Sequence, residues 1–170
     1  MTMTNPTKII LEFLREIGIE YQLQPLSGVT FLPGLKMSKG RLLIDPDQLL
    51  YPGDILHEAG HLACMPPEIR KDMSDDLPNS DLHAGGEMMA IGWSYAACIY
   101  LNLDSSVVFH KHGYKDGSES LLENFRESRY IGVPLLQWLG MSLDDRNAEL
   151  LGLKPYPVMQ KWLCTERPAG

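Results

Sequence analysis

The chain has 170 residues, a formal net charge of −7 and a hydrophobic fraction of 44%. It is long enough to bury a substantial core and too acidic for the clustered basic surface that phosphate backbones require, so no nucleic-acid partner is expected. Three cysteines (Cys64, Cys98 and Cys164) make no disulfide framework, no basic start leads into an apolar leader, and the apolar run near residues 88 to 101 is interrupted by Gly92, Ser94 and Tyr95, so the expectation is a cytoplasmic protein with no membrane partner.

The first helix is predicted over residues 6 to 17. Pro6 suits its first turn, Ile9, Ile10, Phe13, Leu14 and Ile17 form an apolar stripe, and Gly18 ends it. Ile19, Tyr21 and Leu23 alternate with polar residues and predict a strand. A second short strand is expected at 29 to 32, before the Pro33-Gly34 turn, and a third at 41 to 44, ending at Asp45-Pro46. Together they predict a small antiparallel sheet, whose edge could hold an extended peptide if it is open.

A helix then starts around residues 52 to 54, buries Ile55, Leu56, Ala59, Leu62 and Ala63, and stops before Pro66-Pro67. Residues 66 to 85 are acidic and turn-rich, which predicts a long flexible connection. Gly85-Gly86 introduces a second long helix at 87 to 101, whose small apolar residues suit packing on the preceding helix and whose Gly92 would permit near approach of two backbones. Two shorter helices are expected near 121 to 125 and 133 to 139, and 153 to 157 reads as extended. The expectation is one α+β domain over 1 to 170, a small sheet packed on helices.

The chemistry concentrates in His57-Glu58-Ala59-Gly60-His61. Residues four apart share a helical face, so two imidazoles can hold one divalent ion. Glu58 projects about 100° away and is better placed to act as general base on water activated by that ion. A reactive zinc site commonly has three protein ligands. Glu87, opening the next helix, is the preferred third, with His83 as its rival. Ser94 and Cys98 lie close to the Glu87 face, seven and eleven residues on. Cys64 and Cys98 read as small core residues, while Ser94 and Tyr95 would lie near the metal ligands. His110, His112 and Tyr114 form a further polar group. Tyr95 and His112 are taken as catalytic candidates beside Glu58, because a phenol or imidazolium could stabilise an oxyanion if the fold returns it to the cleft.

This arrangement resembles the zincin-like metallopeptidases of the Glu type, which pair the two motif histidines with a downstream helical glutamate. The resemblance covers residues 19 to 101 and implies Zn²⁺ on His57, His61 and Glu87, with Glu58 activating water for cleavage of a peptide or protein substrate. Two departures stand out. Leu62-Ala63-Cys64-Met65-Pro66-Pro67 follows the motif without a third histidine, and Met88-Met89-Ala90-Ile91 follows Glu87 without the usual supporting aspartate. Iron or manganese would also suit such ligands. A peptidase or amidase is the leading expectation. A non-catalytic zinc-binding or regulatory interaction protein on the same scaffold is the alternative.

Overall fold

The computed structural model describes residues 5–75, 82–114, 117–166 and 168. Helix α1 (Asn5–Ile17) turns Ile10, Leu11, Phe13 and Leu14 inward. It leads into a three-stranded sheet of β1 (Tyr21–Leu23), β2 (Leu35–Ser38) and β3 (Arg41–Ile44), ordered β1-β3-β2. The small sheet packed on helices is as expected, but its pairing is mixed rather than antiparallel. β2 and β3 form an antiparallel hairpin, whereas β1 pairs parallel with the far side of β3, Tyr21 opposite Leu42. The connection from β1 to β2 carries the chain past the position of β3, which sends β1 and β3 the same way.

The second strand lies at Leu35–Ser38, not at 29 to 32. Val29 and Phe31 stand 104% and 96% exposed, and Leu32 makes only an isolated bridge to Leu35. The alternation that matters is Leu35 and Met37 inward with Lys36 and Ser38 turned away.

Helix α2 (Pro52–Ala63) follows, then the short α3 (Pro67–Arg70) and the central α4 (Leu82–Tyr100). Residues 89 to 98 of α4 are buried on every side, as befits a helix enclosed by its neighbours. Among the described residues no helix is long and apolar enough to cross a membrane. α4 starts before the Gly85-Gly86 pair, which sits inside the helix instead of opening it. Of the predicted 66 to 85 connection, 67 to 70 are helical and 76 to 81 lie outside the described residues.

The close approach of α2 and α4 is made by Gly60, not Gly92. A Cβ on Gly60 would lie 3.0 Å from the Ala90 Cα and 3.1 Å from its carbonyl oxygen. Gly92 instead admits the Ile131 carbonyl and the Leu136 side chain. Gly60→Val would wedge two backbones apart, and we expect it to cost about 1–3 kcal/mol, the usual penalty of overpacking, read as a lower Tm in thermal unfolding.

A 3-10 turn (Ser105–Val107) and helices α5 (Ser118–Arg126), α6 (Val133–Trp138) and α7 (Asp145–Leu151) complete the described elements. The C-terminal segment returns to α2. The Cys164 amide donates to the Ala63 carbonyl at 2.7 Å, and the Arg70 guanidinium donates to the Leu62, Met65 and Cys164 carbonyls. A cation thus satisfies the acceptors that a helix leaves open at its C-terminal end. The helix that carries the two histidines is fixed at its C-terminal end.

Candidate metal centre

α2 buries Ile55, Leu56, Ala59, Leu62 and Ala63 and, as a consequence, turns His57 and His61 out along one line toward the start of α4. Because Gly60 brings α2 against Ala90, the carboxylate one turn earlier on α4 meets both imidazoles. His57 Nε2 lies 3.3 Å from Glu87 Oε1, His61 Nε2 lies 3.1 Å from Glu87 Oε2, and the two Nε2 atoms are 3.1 Å apart. The rings stand edge to face at 87°. A Cβ on Gly86 would make only ordinary van der Waals contact with His61 Nδ1, at 3.8 Å.

These separations fit a metal ion. Donor atoms about 2.0–2.2 Å from a tetrahedral centre lie about 3.3–3.6 Å from one another. One of the three distances is at the short edge of that range and two fall about 0.2 Å below it, and the donor set is two imidazoles and one carboxylate. Two ring nitrogens aimed at each other also need a cation or a proton between them. His57, His61 and Glu87 form the metal-competent cluster found among the described residues, and no fourth histidine, cysteine or carboxylate joins it there. The Glu87 side chain is 47% exposed against 14% and 21% for His57 and His61, so the site faces solvent at its carboxylate. The donor set does not choose between zinc, iron and manganese.

The charges are mutually tuned. Burial pushes the His61 imidazole down, but its hydrogen bond to Glu87 and the carboxylates of Glu58, Glu87 and Asp75 outweigh this, leaving its pKa raised. Burial pushes Glu87 up, yet the two imidazoles hold it well below the usual carboxylate range. Glu58 goes the other way: burial raises its pKa against the pull of His61 and His57, with Asp75 and Glu87 adding to the rise.

Glu58 is half-buried and lines a cavity of about 30 Å³ with Phe31, Leu32, Leu35 and Asp75. That is room for about one water molecule. Asp75 is a neighbour that the residue pattern did not single out, because it reaches the site by strand-like pairing from far along the chain. Its amide donates to the Met37 carbonyl at 3.1 Å and its carboxylate accepts from the Met37 amide at 2.9 Å. The Leu35 amide donates to the Leu32 carbonyl, and the Gly40 amide to that of Met73. The outer edge of β2 is therefore occupied by the chain itself at these positions.

The fold brings Tyr114 to the histidines. Its Oη lies 2.8 Å from His57 Nδ1, the ring nitrogen facing away from Glu87. Burial, with the Glu87 and Asp54 carboxylates, raises the Tyr114 pKa and keeps the phenol neutral. His110 Nε2 pairs with Asp54 Oδ1 at 2.8 Å, and its ring stacks on Tyr51 with centroids 4.0 Å apart. Asp54 could have been read from the sequence, since it stands three residues before His57 on the same helix. His112 is exposed, its ring 5.8 Å from that of Tyr51. Tyr95 is buried, with its ring among Phe109, Phe125, Tyr130 and Tyr156. Ser94 is fully buried and touches the Tyr114 phenol. Cys64 and Cys98 are buried thiols whose pKa values burial raises, that of Cys98 to about 12. The side chain of the rival ligand His83 lies outside the described residues.

The chain therefore presents a His-His-Glu cluster with an adjacent carboxylate and an accessible face. Compared with known protein families, curated proteins and solved structures, it matches none.

Proposed function

We propose that the protein is a zinc-dependent hydrolase of the zincin-like kind, most simply a peptidase or amidase. The observation that carries this reading is the convergence of His57, His61 and Glu87 within 3.1–3.3 Å of one another, with Glu58 beside a water-sized cavity. His57, His61 and Glu87 would hold the ion, which when bound supplies a Lewis acid for a carbonyl oxygen and lowers the pKa of water. Glu58 takes the proton of the attacking water and returns it to the leaving amine. Burial raises its pKa in the metal-free chain, which favours proton uptake by this carboxylate over an exposed one.

The occupied outer edge of β2 supports a second reading, a non-catalytic zinc-binding or interaction protein on the same scaffold. An extended peptide could not add to that edge at Met37 without displacing Asp75.

The deciding experiment combines metal analysis with a peptide-library digest. We expect about one zinc per chain, cleavage that stops on chelation, and cleavage that returns with added zinc. Stoichiometric zinc without cleavage would favour the second reading. A chain that takes up no metal from zinc, iron or manganese solutions would end both.

A further inference from the structure

We propose that Tyr114 is the positioning residue that orients His57 toward the metal, filling the role for which α4 offers no acidic side chain; this rests on the metal-site reading above. A histidine that binds metal through one ring nitrogen usually donates the proton of the other to a fixed acceptor, which sets the tautomer and the ring plane. In His57, Nε2 faces His61 and Glu87, and Nδ1 lies 2.8 Å from Tyr114 Oη. After Glu87 the helix continues Met88-Met89-Ala90-Ile91, with no carboxylate to reach back.

A phenol both donates and accepts, so the direction of this bond must be fixed by a neighbour. Ser94 provides it. The Ser94 hydroxyl donates its single proton to the Ala90 carbonyl, with a longer contact to that of Ile91. With that proton committed, its lone pairs are what Ser94 has left to offer the O–H of the neighbouring Tyr114 phenol. Tyr114 Oη then accepts the His57 Nδ1 proton, and the Nε2 lone pair is left pointing at the other ligands.

The phenol is brought there by a built anchor. His110 is paired to Asp54 and stacked on Tyr51, and Phe109 is buried against Tyr95 and Tyr114. Asp54 and His57 stand three residues apart on α2, so anchor and target move as one rigid turn. Tyr114 itself has φ 52°, in the left-handed region that residues with side chains seldom adopt. A strained backbone persists where its surroundings over-determine it, and here it aims the ring edge to face at His57, 85° between planes.

The test is zinc affinity, measured by competition with a chromophoric chelator, alongside the Tm of the metal-free chain and the ¹⁵N NMR signature of the His57 ring. Tyr114→Phe removes only the hydroxyl. We expect zinc binding about 10–100-fold weaker, a metal-free Tm close to that of wild type, and loss of the single Nδ1-protonated His57 signature. Should Tyr114→Phe destabilise the chain, Ser94→Ala keeps the ring and must weaken zinc in the same direction. Wild-type affinity in both variants, with zinc bound by the wild type, overturns the role of Tyr114 and leaves the metal site standing. A wild-type chain that binds no zinc overturns both.

Discussion

Glu58→Gln is expected to keep zinc and lose turnover. The amide has the size and hydrogen-bonding reach of the carboxylate, but it cannot take a proton from water at any accessible pH. Glu58 is not among the atoms that cluster for metal binding, so the zinc content of the variant should match wild type. Positioned acid–base groups contribute about 10²–10⁴-fold to rate, and that is the loss expected against a cleavable peptide. In the wild type, the acidic limb of the pH–rate profile should follow ionisation of Glu58, whose pKa burial raises in the metal-free chain and a bound divalent ion would pull back down. Activity should thus fall as pH drops through the value that the loaded site sets for this carboxyl. The same residue carries a stability signature. A carboxyl whose folded pKa is raised stabilises below its unfolded value, and that contribution is lost as pH rises through the folded value. At pH 7 to 8 Glu58 is therefore a burden, and the metal-free Glu58→Gln chain should melt higher than metal-free wild type there. Wild-type turnover in Glu58→Gln would remove Glu58 from the mechanism.

The second large effect is the opposite response of the metal-free and zinc-loaded chains to pH. Without metal, a protonated His61 and an ionised Glu87 form an ion pair. His61 has its pKa raised, so its contribution is complete below about 6.5 and fades as pH climbs through the folded value. Glu87 has its pKa depressed, so its contribution is complete above about 4.3 and fades only as pH falls through the folded value. The pair is strongest between those two limits. Zinc needs the His61 proton gone, so its affinity should rise about tenfold per pH unit wherever one proton is displaced. The gain in Tm from zinc should consequently widen from pH 6 to pH 8. Glu87→Gln should abolish most of that gain, since it removes the charged ligand and the acceptor of both imidazoles. A zinc-induced Tm shift that is flat across this range would remove the His61 proton from the binding step, and one unchanged in Glu87→Gln would show that Glu87 is not a ligand.

Local signals were readable wherever the chain's own neighbours decide the outcome. Pro52 and Pro66 bound α2, Gly18 ends α1, and the four-residue spacing of His57 and His61 puts both on one face. α7 has equally local marks. Asp144 caps it by accepting from the Asn147 amide at 2.8 Å, and Gly152 closes it at φ 66°. The strand at 29 to 32 fails for the converse reason. Val29 and Phe31 have strand propensity, but with no sheet partner their side chains remain in solvent.

By itself the sequence determined the metal-competent donor set: two imidazoles and a neighbouring carboxylate on one helix, and a glutamate with nothing acidic close behind it. Those features follow from helical periodicity, which acts over four residues. Only the tertiary structure decided that β1 runs parallel to β3, that Gly60 rather than Gly92 joins the two helices, and that Asp75 and Tyr114 reach Glu58 and His57. Such contacts join residues 17 to 57 positions apart, and their partners are chosen by packing and hydrogen-bond satisfaction across the whole core, which no local pattern records.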